Sequence, residues 1–377
     1  MIRKIFFWLH LSTGLLIGLV VAVMSATGVL LTYEHQILHW AERHHQLSPA
    51  QTDTQIAPED LIEIARKEGL AVQEIVFSAA RHLPVIASAG RRGPVLYIDQ
   101  YAGVALGGPN AEMRAFFSAV TSWHRWLNMQ GDARRNARQV TGVSNLAFAF
   151  LIVSGMYLWL PKLLRWSAIK PRILFQRRYH SSKARDFHWH HVLGIWAAIP
   201  LLVVVGTAVV FSFSWADELL SQLAPDSPAV LGNIDPSSPN FAERNQKPSL
   251  EQLLNTAKDF DPEWTSVTLK VPGANPEKIA FTVNTGSGRQ PQHKTQIELE
   301  ADTGRLIKRQ AFADKAGVDK TWIFVRFLHT GEVYGVLGQT VAGLVSLISL
   351  FMVWTGLSLA WRRLIAPLFQ GKIRRKA

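Results

Sequence analysis

Four stretches of this chain, over 5–31, 140–160, 192–213 and 341–361, run for about twenty residues or more without a charged side chain. A helix rising 1.5 Å per residue needs about that length to cross the roughly 30 Å hydrocarbon core of a bilayer. An unbroken apolar surface on several such helices suits lipid better than a soluble core. The first stretch follows Arg3 and Lys4, as a signal peptide would. It is too long for a signal h-region, and "SATGVLLTYEH" is a poor cleavage site, so it reads as a retained helix.

Charge then orients the spans. The stretches 1–4, 161–187 and 362–377 hold sixteen Lys and Arg against one acid, Asp186. The remainder holds 24 basic and 27 acidic residues, so the formal net charge of +12 resides at alternate helix ends. That is the positive-inside pattern. It predicts a multi-pass membrane protein with both termini cytoplasmic and with 33–137 and 214–337 outside, which is the periplasm if the membrane is a bacterial inner membrane. It also makes the basic composition a membrane feature, and no nucleic-acid partner is expected.

No cysteine is present. Disulfides, thiolate metal sites, cysteine-ligated iron–sulfur clusters and thioether-attached haem are therefore excluded. Any metal centre must rely on His, Met or carboxylates.

The chain also repeats itself. "WLHLSTGLLIG" opens the first span and "SATGVLL" closes it; "HWHHVLGIWAA" opens the third and "VVGTAVV" closes it. Residues four apart share a helix face, so His10, Gly14 and Gly18 form one stripe and His190, Gly194 and Ala198 another. A histidine above two small residues leaves room for a flat body against the backbone. His191 instead leads a bulky row with Ile195 and Ile199, which favours His190 as the ligand and keeps His191 as runner-up, while His188 lies on a third, interfacial face. "FFSAVTSWHRWLN" precedes the second span and "WIFVRFLHTGEVYG" the fourth, each with one histidine, His124 or His329. Those spans close with Ser154-Gly155 and Thr355-Gly356, each followed by a Trp.

Topology places His10 and His190 near the inner surface and His124 and His329 near the outer one. Ionisable side chains inside a bilayer are costly and mark function. Two b-type haems, one held by His10 and His190 and one by His124 and His329, account for two matched pairs, since haem iron takes an axial nitrogen on each face. Zinc or copper fits less well, because two histidines per site lack further donors. A transporter would call for acids in the central turns of the spans, and there are none. His35 is a substitute ligand for the outer pair, and Arg125 and Arg326 are candidate partners for haem propionates.

Outside the spans, "APEDLIEIARKEGL" and "PSLEQLLNTAKDF" read as capped helices, each followed by strand-like runs, so two small α/β modules are expected. The stretch 222–248 reads as a Pro/Ser/Asn-rich linker. The expected organisation is thus a span over 1–32, a module with the His124 lead-in over 33–137, a span over 138–161 and a basic loop over 162–187. A third span over 188–213, a linker, module and His329 lead-in over 214–337, a fourth span over 338–362 and a basic tail over 363–377 complete it.

"WLHLSTG", "SWHRWLN", "HWHHVLG" and "FLHTGEVYG", with the terminal Thr-Gly and Ser-Gly pairs, resemble the PepSY-associated transmembrane helix family, and "YIDQYAGVALG" and "ELEADTGRLI" resemble PepSY repeats. Within that family the chain looks most like ferric-siderophore reductases of the FoxB type. The resemblance implies an α-helical membrane protein, a four-helix bundle built as two half-repeats with two periplasmic PepSY-like modules. It also implies two haems, iron reduction on the periplasmic side, and His10, His124, His190 and His329 at the family's histidine positions. The sequence departs from the family at the crowded "HWHH" and at "VGT", which stands in place of Thr-Gly. With no nucleotide fingerprint in the cytoplasmic stretches, the electron donor would be a membrane quinol or a separate cytoplasmic reductase. The alternative implied by the family is a membrane protein that binds or regulates a partner or peptidase, or a transport component.

Overall fold

The computed structural model describes residues 1–45, 47, 54–90, 93–227, 247–286 and 290–369. In chain order the elements are α1 (Ile2–Leu31), α2 (Glu34–Ala41), α3 (Pro58–Lys67), β1 (Glu74–Ser78), β2 (Val85–Ser88), β3 (Val95–Ile98), β4 (Ala105–Gly107), α4 (Ala111–Trp126) and α5 (Ala133–Trp159). There follow α6 (Trp166–Ile173), α7 (Ser182–Ser212), α8 (Ser214–Leu223), α9 (Leu250–Asp259), β5 (Ser266–Lys270), β6 (Lys278–Asn284), β7 (Lys294–Glu300), β8 (Leu306–Gln310), α10 (Gly317–Thr330) and α11 (Gly335–Leu364). Two compact units result. One comprises Met1–Glu34, Phe116–Leu223 and the described residues from Val325 onward; the other comprises His35–Ala115 and the described residues of Ala224–Phe324.

The first unit is helical. Four of its helices are long and apolar enough to cross a membrane: α1, α5, α7 and the stretch Glu332–Phe369 that contains α11. Helix α1 packs on α5 and α11, and α7 packs on the same two, which closes a four-membered ring. A small apolar cluster of Ile152, Ala197, Ala198, Leu201, Val205 and Val345 fills part of its interior. Ser25 and Ser349 hydrogen-bond across α1 and α11 at 2.8 Å, a polar tie of the kind that holds helices where lipid offers no hydrophobic drive. Leu16, Leu19, Trp196 and Ile199 point outward, as lipid-facing residues do.

The boundaries differ from the sequence expectation at three places. Helix α7 starts at Ser182, capped by the Ser181 hydroxyl accepting from the Ala184 N–H, so 182–187 belongs to the third span and not to the basic loop. That loop also contains a helix, α6. The two lead-ins are themselves helices, α4 and α10. Helix α4 stops where Leu127 and Asn128 turn left-handed and the Asn128 N–H closes back on the Ser122 carbonyl.

In the second unit the two expected α/β modules are joined as one antiparallel sheet of eight strands, in the order β4-β3-β2-β1-β5-β6-β7-β8. The join is the β1–β5 pair, in register from Glu74 opposite Lys270 to Ser78 opposite Ser266. Alternation sends Ile279, Phe281 and Val283 of β6 into one face, where α3 and α9 cover them with Leu61, Ala65, Leu253 and Ala257. Each such large aliphatic contributes roughly 1.5–3 kcal/mol by leaving water. Pro58 at the first turn starts α3, and a capping box between Ser249 and Gln252 starts α9. The Leu250 N–H donates to Glu59 Oε1 at 2.7 Å and ties the two helices together. Most of the expected linker, 228–246, lies outside the described residues.

Candidate functional site: four imidazoles fixed by hydroxyls

All four proposed ligands lie in the helical unit. His10 on α1 donates Nδ1–H to Ser154 Oγ of α5 at 2.9 Å, and His190 on α7 donates Nδ1–H to Thr355 Oγ1 of α11 at 2.9 Å. His124 on α4 donates to Thr27 Oγ1 and the Met24 carbonyl of α1, both at 3.0 Å. His329 on α10 donates to Thr207 Oγ1 at 3.0 Å and to the Val204 carbonyl of α7 at 2.9 Å.

The direction of these bonds follows from chemistry. Each hydroxyl already spends its proton on a carbonyl in its own helix: Ser154 on Phe150, Thr355 on Phe351, Thr27 on Val23 and Thr207 on Val203. Its oxygen must therefore accept, and the carbonyls of Met24 and Val204 can only accept. Nδ1 carries the hydrogen in all four rings, which leaves an Nε2 lone pair on each. Among the described residues nothing hydrogen-bonds to those four Nε2 atoms. Outside the spans, burial pushes His124 down to about 4, with the neighbouring His329 charge acting the same way; burial also lowers His329. Those two rings are neutral near pH 7.

His124 and His329 stand with ring centres 6.4 Å apart and ring planes tilted by 56°. His10 lies within electrostatic reach of both His190 and His191. Glycines let the rings in: a Cβ on Gly155 would stand 3.3 Å from His10 Cε1, and one on Gly356 would stand 3.4 Å from His190 Cε1. At the His124–His329 pair, a Cβ on Gly28 would stand 3.5 Å from His124 Cε1.

His191 is placed differently. Its Nδ1–H returns to the Phe187 carbonyl of its own helix at 2.8 Å, and its ring lies on Phe187 with centres 4.1 Å apart. His188 donates from Nε2 to the Leu174 carbonyl. His35 is on α2, in the other unit, with its ring edge-on to His39. Arg125 lies over Trp126 at 4.7 Å and Arg326 over Phe327 at 5.7 Å.

One sequence inference needs correction. The space expected beside the second stripe is filled: Ala198 is packed in the apolar cluster, and Met352 Cε would meet a Cβ on Gly194 at 3.0 Å. Gly14 in the first stripe does face open space. The "VGT" departure, in turn, does not change the packing role, because Thr207 holds His329 as Thr27 holds His124, with Ala208 standing where the first half has Gly28.

Sequence reasoning missed a buried ion network. Asp186, 0 % exposed, accepts from Arg362 at 3.1 Å, from Arg185 at 3.0 Å and from Ser358 Oγ at 3.0 Å. It sits one turn before His190, and Ser358 sits one turn after Thr355. The matching place in the first half holds an aromatic pair, Phe6 and Tyr157, with ring centres 5.0 Å apart. The only advance signal was a lone acid among basic residues.

Among the described residues no group of three or more His, Asp or Glu is arranged to hold a metal ion; the imidazoles come in twos. In comparisons with known proteins, the family model described as PepSY-associated TM region matches residues 7–363. A search of the curated proteins found no match.

Proposed function

The chain belongs to the PepSY-associated TM region family, and from that premise we propose that it is a dihaem b-type electron-transfer protein of the bacterial inner membrane that reduces ferric siderophore and releases Fe(II) in the periplasm. The observation that carries the reading is the common state of four histidines: Nδ1–H anchored on a facing helix, Nε2 presented without a partner. Metal-bound histidines are oriented in this way, with the far nitrogen donating to an outer acceptor.

The outer pair passes a simple test of fit. Two metal–imidazole bonds of about 2 Å, plus about 1.1 Å from nitrogen to ring centre on each side, separate ring centres by about 6.2 Å. His124 and His329 stand at 6.4 Å. A bare zinc or copper ion would want third and fourth protein donors, whereas a porphyrin brings four nitrogens of its own. The finer architecture belongs to the same reading: two half-repeats, with His10 and His190 as the inner pair and His124 and His329 as the outer one. The sheet unit then corresponds to two PepSY-like modules joined edge to edge in the periplasm, and both termini are cytoplasmic.

Bound haem would supply a one-electron Fe(III)/Fe(II) couple at each end of the bundle. The protein's residues hold and tune that couple. Ser154 and Thr355 fix the inner imidazoles, Thr27 and Thr207 with two carbonyls fix the outer ones, and the apolar cluster between them keeps water out. Arg125 and Arg326 are the candidates for pairing propionates outside. The substrate is Fe(III) in a hard-oxygen chelator, which grips Fe(II) far more weakly, so one electron suffices for release. No acid–base group is needed, in keeping with the absence of carboxylates from the central spans. The donor is a quinol or a separate cytoplasmic reductase.

The test is haem stoichiometry in detergent from haem-replete cells. Two b-type haems per chain are expected, reduced by dithionite and reoxidised by added ferric siderophore. A colourless preparation rejects the reading, and a red one inert to ferric chelates rejects its substrate.

A further inference from the structure

The end of the bundle where α1 begins and α5 stops carries a cavity of about 200 Å³ lined by Arg3, Leu158, Arg172, Phe187, His188 and His191. Four of the six are basic or hydrogen-bond donating, and the other two are apolar. Both arginines are held in place: Arg3 Nη2 donates to the Leu160 carbonyl at 2.8 Å and to Leu158, and Arg172 Nη1 donates to the Trp159 carbonyl. A guanidinium has five N–H donors, so each retains further donors after these bonds. His188 spends one nitrogen on the Leu174 carbonyl and His191 spends one on Phe187.

The wall of this cavity is unusual for a loop. Helix α6, which supplies Arg172, has no buried residue. Leu163, Leu164, Trp166, Leu174 and Phe175 in and around it are all exposed, in a segment that also carries Lys162, Arg165, Lys170, Arg177 and Arg178. Two indoles pin it to the spans: Trp196 Nε1–H donates to the Ile173 carbonyl at 2.8 Å, and Trp159 Nε1–H donates to the Arg172 carbonyl. A basic segment with outward Leu, Phe and Trp, held at the ends of membrane helices, suits the interfacial plane of a bilayer. Phe187, exposed, continues the apolar surface from the cavity along α7.

We infer that this cavity binds the headgroup of one anionic phospholipid of the bilayer, its phosphate between Arg3 and Arg172 and its acyl chains along the apolar surface beyond Phe187. Charge complementarity selects an anionic lipid, and the mixed lining selects a lipid over a free anion. Basic pockets between spans on the positive side of a membrane take such headgroups. The inference requires neither haem nor electron transfer, so it stands or falls apart from the reading above.

The test uses the full chain in detergent, with phosphatidylglycerol and phosphatidylcholine as probes, and counts lipid retained per chain by native mass spectrometry. The wild type should retain one phosphatidylglycerol in preference to phosphatidylcholine; equal retention of the two overturns the proposal without any variant. Replacing Arg3→Gln with Arg172→Gln should weaken phosphatidylglycerol about thirtyfold, about fivefold for each basic residue. Replacing Arg177→Gln together with Arg178→Gln removes the same number of charges from the basic stretch after α6; these residues line no part of the cavity, so the cost should be less than about threefold. An equal loss in the two double variants would mean diffuse attraction and no site. Displacement of the lipid by equimolar inorganic phosphate would mean a bare anion site. Loss of haem from the Arg3/Arg172 variant with lipid selectivity intact would mean that the arginines hold propionates. Each of these three results overturns the proposal.

Discussion

On the proposed assignment, the inner and outer histidine pairs use the same device, and one ring, His10, has less redundancy than the other three. His10 hangs its Nδ1–H on a single hydroxyl, while His190, His124 and His329 each have a hydroxyl and a main-chain carbonyl, that of Met352, Met24 or Val204. The supports beneath the inner pair also differ between the half-chains. Under His190 lies the buried carboxylate of Asp186 with two arginines; under His10 lies an aromatic pair. Three of the rings are thus secured partly by backbone, and His10 depends on a side chain that substitution can remove.

The largest expected effect breaks one pair and spares the other. His329→Ala should halve the haem recovered per chain and leave the inner centre intact, and His190→Ala should do the reverse. His191→Ala should retain both, because its ring is tied to its own helix and lies against Phe187. Haem per chain by pyridine haemochrome, with redox titration to identify the surviving centre, checks all three. Loss of a haem from His191→Ala with both retained in His190→Ala would reverse the assignment.

Next comes the asymmetry beneath the inner pair. Asp186→Ala removes the buried carboxylate that Arg362, Arg185 and Ser358 share; the arginines keep 29 % and 37 % of their side chains exposed, so the change costs about 1–3 kcal/mol. Tyr157→Ala at the matching place in the first half removes a partly exposed ring pair, worth about 0.5–1.5 kcal/mol beyond its burial. Thermal unfolding in detergent should rank Asp186→Ala below Tyr157→Ala. Equal midpoints would show that the ion network holds α7 on α11 no better than the aromatic pair holds α1 on α5.

These two features were unequally legible in the sequence. His-x-x-x-Gly and the Ser-Gly and Thr-Gly closures mark the histidine faces, because a helix converts spacing directly into direction. The hydroxyl acceptors were visible as residues but not as partners: Ser154 lies 144 positions from His10, and only the packing of α1 on α5 joins them. Asp186 read as a loop residue because the polar start of α7, Ser182 to His191, does not carry the apolar signature of its span. The β1–β5 join had no signature either, since strand edges pair through backbone that every sequence shares.

A finer test of redundancy removes one hydroxyl at a time. Ser154→Ala leaves His10 Nδ1–H without its acceptor and should weaken inner haem retention about 10–100-fold, the usual cost of losing an outer acceptor. Thr27→Val and Thr207→Val leave the carbonyls of Met24 and Val204 in place, so outer retention should fall by much less. Haem off-rates to an apo-globin acceptor separate the cases. A larger loss at Thr27 than at Ser154 would mean that the carbonyl contacts do not hold the outer rings.

The smallest effect concerns the glycine the two halves do not share. Beside His124 stands Gly28, where an added Cβ would meet Cε1 and the Ser346 hydroxyl at 3.5 Å, an ordinary contact. Beside His329 the corresponding position is already Ala208, and the Thr207 bond is made regardless. Gly28→Ala should therefore keep both haems and leave the outer potential nearly unchanged. Gly155→Ala would set its Cβ 3.3 Å from His10 Cε1, closer than an ordinary contact, and should shift the inner potential. Potentiometric titration of the two variants side by side measures how tightly each ring is packed. If Gly28→Ala moves the outer centre more than Gly155→Ala moves the inner, steric fit at the ring edge is tighter outside, and the backbone anchoring of His124 does not confer the tolerance assigned to it.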